Sequence, residues 1–105
     1  MIEKDKTDIL FGIKMGIAYV AASFIRTGEN VKEIRSFLDE NGGEAVKIIS
    51  KIENKEAIDN LEAIVKYSDG IMIARGDLGI EMPIHELPVY QKKILDMCFV
   101  YGKPV

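Results

Sequence analysis

The sequence predicts an α/β fold in which parallel strands alternate with amphipathic helices. Three short apolar runs rich in β-branched residues, 18–22, 47–54 and 71–74, are typical of buried strands. The segments between them repeat apolar residues at helical spacing. Because a strand, a helix and a following strand form a right-handed crossover, the three strands are expected to be parallel. Units that recur about every 25 to 30 residues predict a run of β/α units around one parallel sheet.

Helical patterns flank the first two strands. Residues 1–14 predict a first helix with acidic side chains near its start. A second helix is expected to open at residues 27–30, with Asn30 as its cap, and to close at the Asn-Gly-Gly of residues 41–43. Residues 55–68 predict one continuous helix between the second and third strands.

The carboxyl-terminal part begins where the third strand breaks into residues 75–79, Arg-Gly-Asp-Leu-Gly. Residues 80–88 are expected to form a loop or short turn. The last helix is predicted to hold Pro88 in its first turn and to end at Gly102. Residues 103–105 are expected to begin a further strand.

Composition excludes several classes of function. The 105 residues, 48% of them hydrophobic, are enough for one modest domain. A net charge of −3 without a basic run argues against a nucleic-acid surface. The single cysteine, Cys98, excludes an internal disulfide, fits a reducing cytoplasm and is interpreted as a filler on a helix face. The sequence has neither a long apolar run nor a secretory pattern, so a membrane or export role has no support.

A lysine and a carboxylate stand two residues apart at the end of the second strand. Lys51 and Glu53 are expected on one face, because side chains at i and i+2 of a strand point the same way. An anionic substrate could then contact the ammonium while a metal ion bridges the substrate to the carboxylate. The alternative is a surface ion pair, which contributes little.

The residues after the third strand favour the functional interpretation. If the second and third strands are neighbours, Glu53 and Asp77 can reach a common cation. Two carboxylates without a nearby histidine or thiol suit Mg²⁺ or Mn²⁺. Gly76 has no Cβ to keep a phosphate or carboxylate away from backbone N–H groups.

Three further polar residues receive structural interpretations. Ser23 ends the first strand and is expected to be a turn residue, although a hydrogen bond to the substrate or to the lysine stays open. Arg26 is expected to form a loop ion pair rather than an anion contact, although the second stays open, and His85 is expected to be a solvated loop residue.

Two motifs resemble the pyruvate kinase family closely. They are residues 50–54, Ser-Lys-Ile-Glu-Asn, and residues 69–79, Asp-Gly-Ile-Met-Ile-Ala-Arg-Gly-Asp-Leu-Gly. Residues 22–26 and 102–105 also resemble segments of this family, so the likeness runs along essentially the whole chain. Members of the family are several times longer. The resemblance therefore implies that residues 1–105 are part of a catalytic barrel domain, a segment of a (β/α)8 TIM-type barrel with three parallel strands and amphipathic helices.

The resemblance also implies an activity and roles for individual residues. The family transfers a phosphoryl group from phosphoenolpyruvate to ADP in glycolysis, giving pyruvate and ATP. By position, Lys51 resembles the catalytic lysine that contacts substrate, while Glu53 and Asp77 resemble the Mg²⁺ ligands, with Mn²⁺ as an alternative. By position, Gly76 and Asp77 resemble the residues whose backbone amides hold the substrate carboxylate in the family. No chemical step is assigned to Arg75.

For the whole enzyme, the resemblance implies K⁺, a cytoplasmic location and a homo-oligomer, in this family a tetramer. The potassium and nucleotide sites are expected outside this chain.

Two alternatives remain open. One is another magnesium-dependent barrel enzyme of the phosphoenolpyruvate/pyruvate type, a lyase or an aldolase. The placement of Lys51 and the Arg-Gly-Asp block at residues 75–77 argue against it. The other is a structural piece without activity that associates through unpaired strand edges.

Overall fold

The structure is a computed structural model that describes residues 3–81 and 83–105. Three parallel strands form one sheet in the order β1-β2-β3, which confirms the predicted α/β segment. In chain order the elements are α1 (Glu3–Lys14), β1 (Tyr19–Ala22), α2 (Gly28–Glu40), β2 (Lys47–Ile52), α3 (Lys55–Asp59), α4 (Leu61–Tyr67), β3 (Gly70–Ile73), α5 (Arg75–Glu81), a 3₁₀ turn (Ile84–Glu86) and α6 (Leu87–Tyr101).

The sheet register brings the carboxyl ends of the strands to one edge. Ala22 of β1 pairs with Ser50 of β2, and Ile52 of β2 pairs with Ile73 of β3. Residues that follow the strands therefore lie at this edge, which is the face on which TIM-type barrels carry their active sites.

Helices cover one face of the sheet. Along β2, Ile48, Ser50 and Ile52 are buried, whereas Lys51 on the opposite face is partly exposed. Helix α2 packs against α4, and α4 packs against α6. Among the described residues, the largest fully buried side chains belong to one hydrophobic core cluster and are Ile25, Leu38, Ile48, Ile52, Ile58, Leu61, Ile64, Leu78, Ile94, Val31, Val65 and Cys98.

An arginine fastens the amino end of β2 to helix α2. Arg35 donates from Nη1 to the Val46 carbonyl oxygen at 2.7 Å and from Nη2 to the Gly43 carbonyl oxygen at 2.7 Å. Asp69 accepts a hydrogen bond from the Ile48 N–H at 2.8 Å, and its Oδ2 lies 3.9 Å from Arg35 Nη1. We call these five residues the Arg35 clamp. It satisfies backbone groups just before and at the start of the strand.

The predicted single helix over residues 55–68 was wrong. It divides into α3 and α4 at Asn60, whose side-chain nitrogen donates to the Glu56 carbonyl oxygen at 3.0 Å and to the Arg26 carbonyl oxygen at 3.1 Å. The bond to the Arg26 carbonyl oxygen joins Asn60 to the loop after β1. A tertiary contact thus interrupts an apolar pattern that continues without a gap.

The third strand ends before residues 75–79 as expected, but these residues begin the helix α5, which the sequence pattern did not predict. Leu78 is buried, and its N–H donates to the Ala74 carbonyl oxygen at 3.0 Å. Burial of this leucine holds the turn helical despite the glycines on either side.

The cap of α2 is Thr27 and not Asn30. Asn30 N–H donates to Thr27 Oγ1 at 3.3 Å, while Thr27 N–H donates to Asn30 Oδ1 at 3.1 Å. The pair forms a capping box in which Asn30 occupies the third helical position.

The ends of the other helices agree with the sequence. Pro88 lies in the first turn of α6, and Gly102 closes that helix with a φ of +66°. Residues 103–105 form no regular strand, but Pro104 accepts a hydrogen bond from the Ile71 N–H at 3.0 Å and so lies beside β3. Residues 1–2 of the first predicted helix and residue 82 of the predicted loop lie outside the described residues.

Cys98 is 1% exposed within the core, which confirms its interpretation as a helix-face residue. Burial raises the pKa of its thiol and so keeps it in the less nucleophilic protonated form.

Across residues 3–81 and 83–105, every helix is too short or too polar to span a lipid bilayer.

The contact of α2 with α4 gives a first prediction. A Cβ at Gly28 would lie 2.7 Å from Ala63 Cβ and 3.3 Å from the Ala63 carbonyl carbon. Gly28→Ala is therefore expected to lower the free energy of unfolding by about 1 to 3 kcal/mol, measured by urea denaturation. The control is Gly79→Ala in α5, where an added Cβ would meet no atom of the described residues within 4 Å apart from its chain neighbours and the backbone of its own helix. This control is expected to raise stability by up to about 1 kcal/mol. Equal effects would show that α2 and α4 are not in tight contact.

Candidate active site at the carboxyl edge of the sheet

The site begins with the alternation of side chains along β2. Since Ile52 faces the helices and is buried, Lys51 emerges on the other face of the sheet. Glu53 directly follows the strand, and Asn54 caps α3 by accepting a hydrogen bond from the Ala57 N–H at 2.8 Å. The backbone that carries Glu53 is thus fixed by a strand on one side and a helix cap on the other.

Lys51 contacts two partners from two strand ends. Its Nζ lies 3.2 Å from Glu53 Oε1 and donates to Ser23 Oγ at 3.3 Å. The side chains of Lys51 and Glu53 are 28% and 13% exposed, so the pair is less screened by solvent than a fully exposed one. Lys51 and Glu53 are side by side as expected. The hydrogen bond that the sequence left open at Ser23 is made to the lysine.

Gly76 and Asp77 lie in the first turn of α5 and are exposed. Ala74 directly precedes this turn, and its N–H donates to the Ile52 carbonyl oxygen at 3.1 Å. Helix α5 therefore starts beside the carboxyl end of β2, next to Glu53. No hydrogen bond or ion pair joins the Asp77 carboxylate to another described residue. Apart from its chain neighbours and the backbone of its own helix, no atom of the described residues lies within 4 Å of the position that a Cβ on Gly76 would take.

The donor set at this edge consists of carboxylate oxygens. Within the described ranges, no three His, Cys, Asp or Glu side chains come together in a way that could hold a metal ion. Mg²⁺ usually takes only one or two protein carboxylates and completes its shell with water and substrate oxygens. Glu53 and Asp77 therefore fit Mg²⁺ by ligand type, and their sharing of one ion stays a prediction.

The remaining polar residues behave as the sequence indicates. Arg26 Nη1 lies 3.8 Å from Glu56 Oε1, which confirms a loop ion pair. His85 is exposed in the 3₁₀ turn. Sequence reasoning missed Phe24, whose φ of +60° makes it a non-glycine residue in the left-handed region. No sequence signal marks it, because phenylalanine is not a residue that favours this region.

Comparison with known proteins identifies the family. The model of the pyruvate kinase barrel domain matches residues 1–105. The chain is 56% identical over 105 residues to a pyruvate kinase of Clostridium acetobutylicum, and 52% identical over 103 residues to one of Clostridium perfringens. These matches cover 100% and 98% of the chain, respectively.

A solved structure agrees with these relatives. The crystal structure of a pyruvate kinase from Cryptosporidium parvum superimposes with a TM-score of 0.93 and 43% identity, and covers 100% of the chain. The chain spans 22% of the length of both clostridial relatives and 23% of the Cryptosporidium chain. The sequence match and the three-stranded parallel sheet lead to the same assignment: the chain belongs to the pyruvate kinase family, within its barrel domain.

Proposed function

We propose that this segment supplies part of the catalytic site of an enzyme that transfers a phosphoryl group from phosphoenolpyruvate to ADP. The observation that carries the proposal is the position of Lys51, which lies at the carboxyl edge of the sheet and is held by Glu53 and Ser23. Membership of the pyruvate kinase family supports the same reaction.

Lys51 is the catalytic residue in this proposal. Phosphoryl transfer demands little covalent chemistry from the protein and depends on charges placed around the transferring group. The ammonium of Lys51 stabilises the negative charge on the phosphoryl oxygens and on the enolate oxygen that leaves. Because Glu53 and Ser23 already hold it, less reorganisation is needed when that charge develops.

The first turn of α5 contributes to substrate binding. Backbone N–H groups in the first turn of a helix have no partner within the helix, so those of Gly76 and Asp77 can donate to the substrate carboxylate. Glu53 and Asp77 would hold Mg²⁺, or Mn²⁺ in its place. When bound, this ion supplies positive charge that neutralises phosphoryl oxygens and orients the substrate. We place a K⁺ requirement in the whole enzyme, at a site outside this chain.

Other properties of the whole enzyme follow from the same proposal. It acts in glycolysis in the cytoplasm, and its product is ATP. It assembles as a homo-oligomer, with a tetramer as the expected state. No nucleic acid or membrane takes part.

A coupled assay tests the proposed function. The intact enzyme that carries this segment is expected to produce pyruvate from phosphoenolpyruvate only when both ADP and Mg²⁺ are present, as followed by lactate dehydrogenase and NADH oxidation. Omission of ADP is the control, because a lyase or an aldolase does not need a nucleotide acceptor. Pyruvate formation that is independent of ADP would contradict the proposal.

The isolated 105 residues are expected to behave differently. Within the described residues, β1 pairs only with β2 and leaves its other edge open, and such edges recruit further chains. We therefore expect the isolated chain to associate in sedimentation experiments and to show no activity in the coupled assay. A strictly monomeric chain that turns over both substrates would contradict both expectations.

A further inference from the structure

We propose that Ser23 is a positioning residue that fixes the direction of the Lys51 ammonium; this inference rests on the proposed function. A lysine ammonium has three N–H donors and no acceptor. Glu53 Oε1 lies 3.2 Å from Lys51 Nζ, and Ser23 Oγ accepts at 3.3 Å. These two acceptors occupy two donors and leave the third for an anionic ligand.

Two anchors hold the ammonium better than one because they come from different strands. Glu53 follows β2, the strand that also carries Lys51, so this pair alone leaves the long lysine stem free to swing about the strand. Ser23 follows β1, which lies beside β2 in the sheet. Its hydroxyl contacts the ammonium from the neighbouring strand, about 4.8 Å away, and so restricts this motion.

The turn at Phe24 sets the position of Ser23. Among residues 3–81 and 83–105, Phe24 is the one non-glycine residue with a positive φ. Its side chain is 77% exposed, so packing of the ring within this chain does not explain the conformation. A strained residue of this kind persists only where the surrounding structure determines it.

The surroundings of Phe24 do determine its conformation. Ala22 before it and Ile25 after it are both buried, and the chain bends at Phe24 between them. Arg26, two residues after Phe24, donates its N–H to Asn30 Oδ1 at 2.9 Å, and its carbonyl oxygen accepts from Asn60 Nδ2 at 3.1 Å. Because the residues on both sides of Phe24 are fixed, the bend at Phe24 leaves Ser23 at the edge of the sheet, within reach of Lys51.

The contact of Ser23 with Lys51 can be tested separately from the fold. Ser23 is exposed, so Ser23→Ala is expected to leave urea unfolding of the intact enzyme unchanged. We expect kcat to fall about tenfold with little change in the KM for phosphoenolpyruvate, since a hydrogen bond to a charged group is lost. Ser23→Thr keeps a hydroxyl and is expected to recover most of kcat. The control is Ser36→Ala on the exposed surface of α2, which is expected to keep the wild-type kcat.

A double-mutant cycle identifies the residue through which Ser23 acts. In the Lys51→Met background, Ser23→Ala is expected to cause no further loss of kcat, because the ammonium that it positions is absent. A purely structural serine would lower kcat by the same factor in both backgrounds, and that result would overturn the inference.

A second pair of variants tests the turn. Phe24→Asn and Phe24→Val both remove the ring, but asparagine tolerates the left-handed region and valine does not. The valine variant is expected to lose more of kcat, and equal losses would overturn the role of the turn. If the wild-type enzyme transfers no phosphoryl group, the proposed function fails and this inference fails with it. An active wild type with an unaffected Ser23→Ala variant overturns the inference alone.

Discussion

Replacing Lys51 with methionine in the intact enzyme is expected to lower kcat by about 100- to 1000-fold, the usual effect of removing one donor that stabilises charge in a transition state. Methionine keeps an unbranched stem of similar length and removes only the ammonium. The fold should be retained, because Lys51 emerges on the face of β2 opposite the core residues. Coupled-assay kinetics and urea unfolding measure the two quantities.

Lys47→Met is the matched control for this prediction. Lys47 lies on the same strand and the same face, but at its amino end, and it is exposed. Lys47 lies four positions before Lys51 along the strand, about 13 Å away. The control is expected to keep its kcat. An unchanged kcat in Lys51→Met, or an equal loss in both variants, would leave Lys51 as an ordinary strand-end ion pair.

Glu53→Gln is expected to lower kcat/KM by at least about 100-fold, because even the partners behind a metal ligand contribute about 10- to 100-fold. The substitution keeps the size of the side chain and removes its charge. It affects two functions together, since Glu53 pairs with Lys51 at 3.2 Å and is the proposed metal ligand at the end of β2. The Mg²⁺ concentration needed for half-maximal activity should also rise.

Direct metal binding separates these two functions. Calorimetric titration with Mn²⁺ in the absence of substrates is expected to show weaker binding by Glu53→Gln than by the wild type. Glu56→Gln is the control, because Glu56 lies three residues further along on α3 and pairs with Arg26 in an exposed position. Unchanged Mn²⁺ binding by Glu53→Gln would exclude Glu53 as a metal ligand.

The parallel sheet was predictable from the sequence because its signals are local. An apolar run such as residues 47–54 identifies a strand, observed at Lys47–Ile52, and the crossover rule then sets the direction of its neighbours. The errors arose where distant contacts decide local structure. Asn60 divides a continuous apolar pattern by donating to the Arg26 carbonyl oxygen, and Leu78 enters the core and keeps its glycine-flanked turn helical.

In the candidate site as well, local contacts are predictable from the sequence and distant ones are not. The adjacency of Lys51 and Glu53 follows from the two-residue period of a strand, so the sequence is enough to predict it. The contact with Ser23 joins residues 28 positions apart and depends on the turn at Phe24, which has no sequence signature. Sequence patterns therefore indicate which groups are present at the edge of the sheet, whereas tertiary structure decides which of them touch.

The Arg35 clamp and Lys51 lie at opposite ends of β2, and this separation bears on how such a protein can evolve. Bonds of Arg35 to the Val46 and Gly43 carbonyl oxygens secure the amino end of the strand without using any residue of the carboxyl edge. Barrels of this type keep stability at the amino-terminal face and chemistry at the other. Substitutions of exposed residues near Lys51 can thus be sampled by selection with little risk to folding, and a lineage can change these residues while it inherits the same clamp.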